Sequence, residues 1–144
     1  MTDYVINPTT GDDGNTGSEA NPWATLAYAV SGDAGVGPGD NILLREDTYT
    51  EFVPIKVSGS DGAPITIAAY EGETPTLEGG AGTEGILEIG AGISYITLGD
   101  GMSFSYGHAK PNGVKKFPWI YVHGPNSNPP SNIILQNFNL ERAY

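Results

Sequence analysis

The chain has 144 residues and a formal net charge of −11, from 17 acidic and 6 basic side chains, with 21 glycines, 11 prolines and no cysteine. That length suits one domain with one core. Acidity on this scale argues against nucleic acid or an anionic membrane as partner, because both require clustered Lys and Arg, and the absence of cysteine excludes disulfides, thiolate chemistry and cysteine zinc sites.

Glycine and proline spread along the chain predict many short strands rather than long helices. Met1 leads directly into Thr2, Asp3 and Tyr4, with no basic or apolar leader, and no window has the length of a membrane span. The expectation is a chain without a signal peptide, or one secreted after the signal has been removed.

Tyr4, Val5 and Ile6 read as a starter strand ending at Asn7 and Pro8. The polar loop from Thr9 to Ala20 holds the candidates for a bound cation, Asp12, Asp13 and Asn15. Calcium would need a third oxygen ligand at the next alternate position, which is Gly17, so the expectation is a turn-rich loop in which Asp and Asn hold their own backbone, with no metal or other cofactor.

Asn21 to Val30 reads as an α-helix, with Asn21 as N-cap and Pro22 as first helical residue. Trp23, Leu26, Ala27 and Val30 then form one apolar stripe. A Gly- and Pro-containing connector, Gly32 to Asp40, leads to a strand at Asn41 to Arg45.

Ala63 to Gly80 is the clearest single rung. Ile65, Ile67 and Ala69 alternate with Thr66, Ala68 and Tyr70, Glu71 to Pro75 turns the chain, and a second strand follows at Thr76 to Glu78. Related apolar residues recur as Ile42, Ile65, Ile96 and Ile134, as Ile55, Leu87 and Ile120, and as Leu77, Met102 or Phe104, and Phe138. The later spacings cluster near roughly thirty residues, the period of a solenoid.

The expected fold is all-β: a short right-handed parallel β-helix of about three coils. One domain would span 1–144, with the starter strand, loop and cap helix in 1–40 and the coils in 41–144. The Trp23 helix would close the first coil, and the last coil, Asn132 to Leu140, carries no closing helix, so the expectation is either an artificially cut end or one covered by a neighbouring subunit or by the remainder of a longer chain.

The segment Tyr106 to His123 gathers most of the basic character. His108, Lys110, Lys115, Lys116 and His123 stand among Phe117, Trp119 and Tyr121. These residues form a candidate aromatic and cationic platform for an acidic sugar or an acidic partner, against the plainer reading of a strand, Phe117 to Val122, preceded by a solvated loop. His108 and His123 are also a candidate metal pair. The carboxylate pairs Glu46 with Asp47 and Glu71 with Glu73 fall at corners and read as exposed turn residues rather than as an acid and base.

The runs YVINPTTGDDGNTGSEANPWATLAYAV, GDNILLREDTYTE and SGSDGAPITIAAYEGETPTLEGG resemble the N-terminal part of right-handed parallel β-helix proteins of the pectate lyase and alginate or chondroitin lyase type. The matching residues include Asn21, Pro22, Trp23, Ala24, Thr25, Gly39, Asp40, Tyr49, Ala63, Pro64 and Ile65. The same N-terminal region is found on phage tail and virion proteins.

In the lyases the resemblance implies a calcium held by acidic side chains and a base that takes a proton next to a uronate carboxylate, both on central coils. No catalytic residue of this chain lies on a matched position. The leading expectation is therefore a non-catalytic structural or interaction module of a phage virion, a capsid decoration (cement) or tail-associated protein. It would be a homo-oligomer, such as a trimer, or attached to a larger assembly, in the virion or outside the cell. The alternatives are the N-terminal fragment of a secreted polysaccharide lyase acting on acidic glycans, and a carbohydrate-binding module.

Overall fold

The structure, a computed structural model, describes residues 1–79, 86–106 and 120–140. Its strands wind repeatedly through three parallel sheets. β1 (Asp3–Ile6) starts the first sheet, and a single helical turn, α1 (Leu26–Ala29), follows. The first full coil is β2 (Asn41–Leu44), β3 (Thr48–Tyr49) and β4 (Val53–Ile55), and the second is β5 (Ile65–Ala69), β6 (Thr76–Gly79) and β7 (Leu87–Ile89). The third is β8 (Ser94–Gly99), β9 (Ser103–Tyr106) and β10 (Ile120–Val122), and β11 (Ser131–Gln136) with β12 (Asn139–Leu140) opens a fourth.

The sheets are ordered β1-β2-β5-β8-β11, β3-β6-β9-β12 and β4-β7-β10, with every pairing between these strands parallel. Strands adjacent in sequence never pair, so each strand stacks on its counterpart one coil away. This is the topology of a β-helix-like coil.

Alternation decides which side chains enter the coil. In β5, Ile65 and Ile67 are fully buried while Thr66 between them is half-buried. Register then stacks like on like: Ile42 on Ile67 on Leu98, Ile65 on Ile96, and Tyr49 on Leu77 on Phe104. Each aliphatic side chain so buried contributes about 1.5–3 kcal/mol relative to exposure.

The register departs from the series read in the sequence. Ile42 lies opposite Ile67, not Ile65; Ile96 lies opposite Ile133, leaving Ile134 beside Thr97; and Ile55 stacks on Ile89, while Leu87 lies between Val53 and Ile120. Thr66 sits opposite both Asn41, 25 residues earlier, and Thr97, 31 residues later, so coil length varies and no fixed period locates the partner.

The ten-residue helix expected at Asn21 to Val30 is not formed. Helical structure is confined to Leu26–Ala29, with Thr25 as N-cap in extended backbone. Residues before it are committed to β1: Trp23 N–H donates to Val5 O at 3.0 Å and Asn7 N–H to Trp23 O at 2.8 Å, bonds that an α-helix through Trp23 would break. The first coil is closed by these residues in place of a cap helix. Val5 N–H donates to Gly17 O, the Trp23 ring stacks on Tyr4 at 4.7 Å, and Val30 O accepts from Lys56 N–H at the end of β4.

Glu51 anchors the helical turn from the following coil. Its Oε1 and Oε2 accept from the Leu26 and Ala27 N–H groups at 2.9 and 3.2 Å. Burial raises its pKa more than these two bonds lower it, and the nearby Asp13 charge adds to the rise. A carboxylate raised in the folded state contributes stability that is present below its unfolded pKa and lost as pH rises through the folded one. Urea unfolding of Glu51→Gln against the native chain is therefore expected to shift in favour of the variant as pH rises above the ordinary carboxylate range. A difference that moves in favour of the native chain as pH rises would show that the hydrogen bonds outweigh burial.

Corners between the five- and four-stranded sheets carry left-handed residues at equivalent places. Asp100 has φ 46° and Asn137 φ 50°, a conformation that short Asp and Asn side chains tolerate. Asn137 Nδ2 and Gln136 Nε2 donate to the two Asp100 carboxylate oxygens at 2.7 and 3.1 Å, tying successive corners together.

Candidate functional site

The outer face of the three-stranded sheet brings aromatic, acidic and basic side chains together. Val53, Ile55, Leu87 and Ile89 point into the core, which turns the residues between them outward. Register aligns Pro54, Glu88 and Tyr121 in one row. One step past the last paired row, Ile55, Ile89 and Val122, come Lys56, Gly90 and His123, with His123 N–H donating to Ile89 O at 3.0 Å.

Side chains converge on this face. His123 Nε2 lies 2.5 Å from Glu88 Oε1, and the Tyr121 and His123 rings stack at 4.4 Å and 25°. Both partners in this contact are partly open, with side-chain exposures of 41% for His123 and 29% for Glu88. Among the described residues, a Cβ on Gly90 would meet nothing within 4 Å, and the exposed Lys56 borders this surface on the far strand. An aromatic plate, an oriented imidazole, a carboxylate and an ammonium group thus share one surface. Such a set recognises a ligand with alternating apolar faces and hydroxyl or carboxyl groups.

Of the expected platform, Tyr121 and His123 are brought together here. His108, Lys110, Lys115, Lys116 and Trp119 lie outside the described residues, as does the His108 half of the candidate metal pair. Glu88 and Lys56 escaped the sequence reading because only register puts them beside Tyr121 and His123. Alternation in Leu87–Ile89 did mark Glu88 as outward, but not its neighbour across the ladder.

The loop candidates for a cation are engaged with backbone. Asp13 Oδ1 accepts from the Ala24 and Thr25 N–H groups, both at 2.9 Å, and its Oδ2 from the Thr25 hydroxyl at 2.8 Å. Asp12 Oδ1 accepts from Gly14 N–H, and Asn15 Nδ2 donates to Pro22 O. Among the described residues no three or more His, Asp or Glu side chains gather as metal ligands.

The corner carboxylates are clips. Glu73 accepts from Glu46 N–H at 2.6 Å and holds Arg45 through both carboxylate oxygens, at 2.8 and 3.1 Å. Its pKa is lowered, first by the Glu46 N–H bond and then by Arg45. Arg45 in turn lies 4.4 Å over the Tyr70 ring, whose hydroxyl donates to Glu19.

No protein-family model matches the chain. A curated relative, YwoF of Bacillus subtilis (strain 168), described as uncharacterized, is 39% identical over 62 residues, which is 43% of this chain and 13% of that protein. Among solved structures, the chain is similar to a GH136 lacto-N-biosidase from Eubacterium ramulus, with a TM-score of 0.65 at 19% identity over 98% of this chain and 27% of that one. It is also similar to a rhamnogalacturonan lyase, with a TM-score of 0.65 at 18% identity over 83% of this chain and 32% of that one. The chain thus spans about a third or less of each protein it matches. At these identities the likeness shows the fold, and that fold is a β-helix type found in glycan-active proteins.

Proposed function

We propose that this chain is a glycan-engaging β-helix segment and that its contact surface is the outer face of β4, β7 and β10. The observation that carries the reading is the exposed constellation of Tyr121 stacked on His123 with the imidazole held by Glu88. Held in this way, the ring and the imidazole lose little freedom when a ligand arrives, which lowers the entropic cost of binding. The Tyr121 ring packs against the C–H face of a sugar, Glu88 accepts from its hydroxyls, and Lys56 faces a carboxylate where the sugar is a uronate. Fold similarity to a lacto-N-biosidase and a rhamnogalacturonan lyase supports this reading over that of a capsid decoration or tail-associated part, for which neither neighbour speaks.

Retention of the native chain and of Tyr121→Ala and Glu88→Gln on immobilised polygalacturonate and on a neutral galactan tests it. Tyr121→Ala is expected to weaken retention about tenfold, the loss of one stacked ring at about 1.4 kcal/mol, while far-UV circular dichroism stays unchanged. No retention of the native chain on either polymer, or retention indifferent to both substitutions, rejects the surface.

A further inference from the structure

We infer that the row formed by Lys56, Gly90 and His123 is a subsite for the carboxylate of an acidic sugar, and that the proton on His123 switches it on. The inference rests on the glycan-engaging reading of the same face and names the ligand class that the face selects.

Register builds the row. Val53, Ile55 and Val57 are buried, so Lys56 between the last two turns outward, and burial of Leu87 and Ile89 puts Gly90 on the same side as Glu88. His123 N–H donates to Ile89 O, which carries the ladder one step past Val122 and sets His123 beside Gly90. The two outer strands thus bring an ammonium and an imidazole to one level, two strand spacings or about 10 Å apart at the backbone. The strand between them contributes no side chain at that level. A carboxylate seated over Gly90 lies within reach of both groups.

Glu88 decides what the imidazole offers. Its Oε1 contacts His123 Nε2 at 2.5 Å, and an ionised carboxylate only accepts, so Nε2 carries its hydrogen in either protonation state. Nδ1 is the nitrogen left to a ligand. On the imidazolium it bears a hydrogen and donates to a ligand carboxylate; on the neutral ring it presents a lone pair, which repels one. Charge changes in the same sense. With the proton, Lys56 and His123 are two positive charges against the one negative charge of Glu88; without it, one stands against one.

Among the described residues, the titratable groups on this face are Lys56 of β4, Glu88 of β7 and, on β10, Tyr121 and His123 itself, while the following segment, Gly124 to Pro130, holds none. Of these side-chain types only imidazole ordinarily changes charge between about pH 5 and pH 8. A neutral sugar is indifferent to the change, because a hydroxyl both donates and accepts.

Retention of the native chain, Lys56→Gln and His123→Gln on immobilised polygalacturonate and on a neutral galactan, from about pH 5 to pH 8 at fixed ionic strength, tests the inference. Native retention on polygalacturonate is expected to fall about fivefold as pH rises, and retention on galactan to stay level. His123→Gln should abolish the pH dependence on polygalacturonate. Lys56→Gln should lower retention there about fivefold at every pH, and retention on galactan less. Equal, pH-independent retention of the native chain on both polymers overturns the inference and leaves the glycan-engaging reading standing, whereas no retention on either overturns both. A pH dependence that survives in His123→Gln belongs to another group and overturns the inference, as does indifference to Lys56→Gln.

Discussion

Replacing Trp23 by alanine is expected to lower the unfolding free energy by about 3–5 kcal/mol, the range for removing a large buried aromatic side chain. The ring is 3% exposed, stacked on Tyr4 at 4.7 Å and edge-on to Tyr28 at 5.5 Å, and its Nε1–H donates to Asn15 O at 2.9 Å. Beneath it lies Gly17, at φ +74°, where an added Cβ would come within 2.7 Å of the indole. The loop is therefore built around the ring, and a smaller side chain leaves a void it cannot fill.

Trp23 also holds the segment that covers the β1 edge, so its loss exposes ladder groups as well as apolar surface. For a chain of this size the melting temperature should fall by about 12–20 °C. Urea denaturation of Trp23→Ala and Trp23→Phe measures it. Phenylalanine keeps the stack but loses the indole donor, so it is expected to recover about half of the loss. A loss under about 1 kcal/mol for the alanine variant would mean that the backbone bonds alone close this end.

Phe104→Ala is the second large effect expected, again about 3–5 kcal/mol, and it acts at the other end of the core. Phe104 is fully buried, lies in register under Leu77 and meets Phe138 edge-to-face at 5.5 Å. Together with the β12–β9 backbone pairing, it holds the fourth coil to the third through the four-stranded sheet. Removing it forfeits its own burial and loosens β11 and β12. Amide hydrogen exchange should thus show lost protection in Ser131–Gln136 beyond the global change, with β2 and β5 following the global stability alone. Uniform loss of protection would show that the stack unfolds as one unit with no weaker end.

Parts of this organisation were legible in the residues themselves. Strand period 2 in Ile65 to Ala69, the turn at Glu71 to Pro75 and the strand at Thr76 marked a coil, because side-chain alternation and turn chemistry are local properties. The capping role of the Trp23 region was also visible, but not its form. Asn21, Pro22 and the apolar spacing of Trp23, Leu26, Ala27 and Val30 satisfy helix rules, yet the strand edge of β1 outbids them, since its backbone groups need partners and the segment lies within reach.

Of the candidate site, Tyr121 and His123 were readable as an aromatic and a titratable residue on one strand, two apart and so on one face. Glu88 and Lys56 were not, since each lies more than thirty residues away in sequence and joins the group only through register.

The sequence by itself determined the class of fold, the apolar residues of the coils and the acidity, since each follows from composition and local periodicity. Tertiary structure alone decided the register, the short helical turn and the Glu88–His123 contact. These depend on which strand lies one coil away, and coils separated by 25 residues in one place and 31 in another leave no fixed spacing from which that could be read.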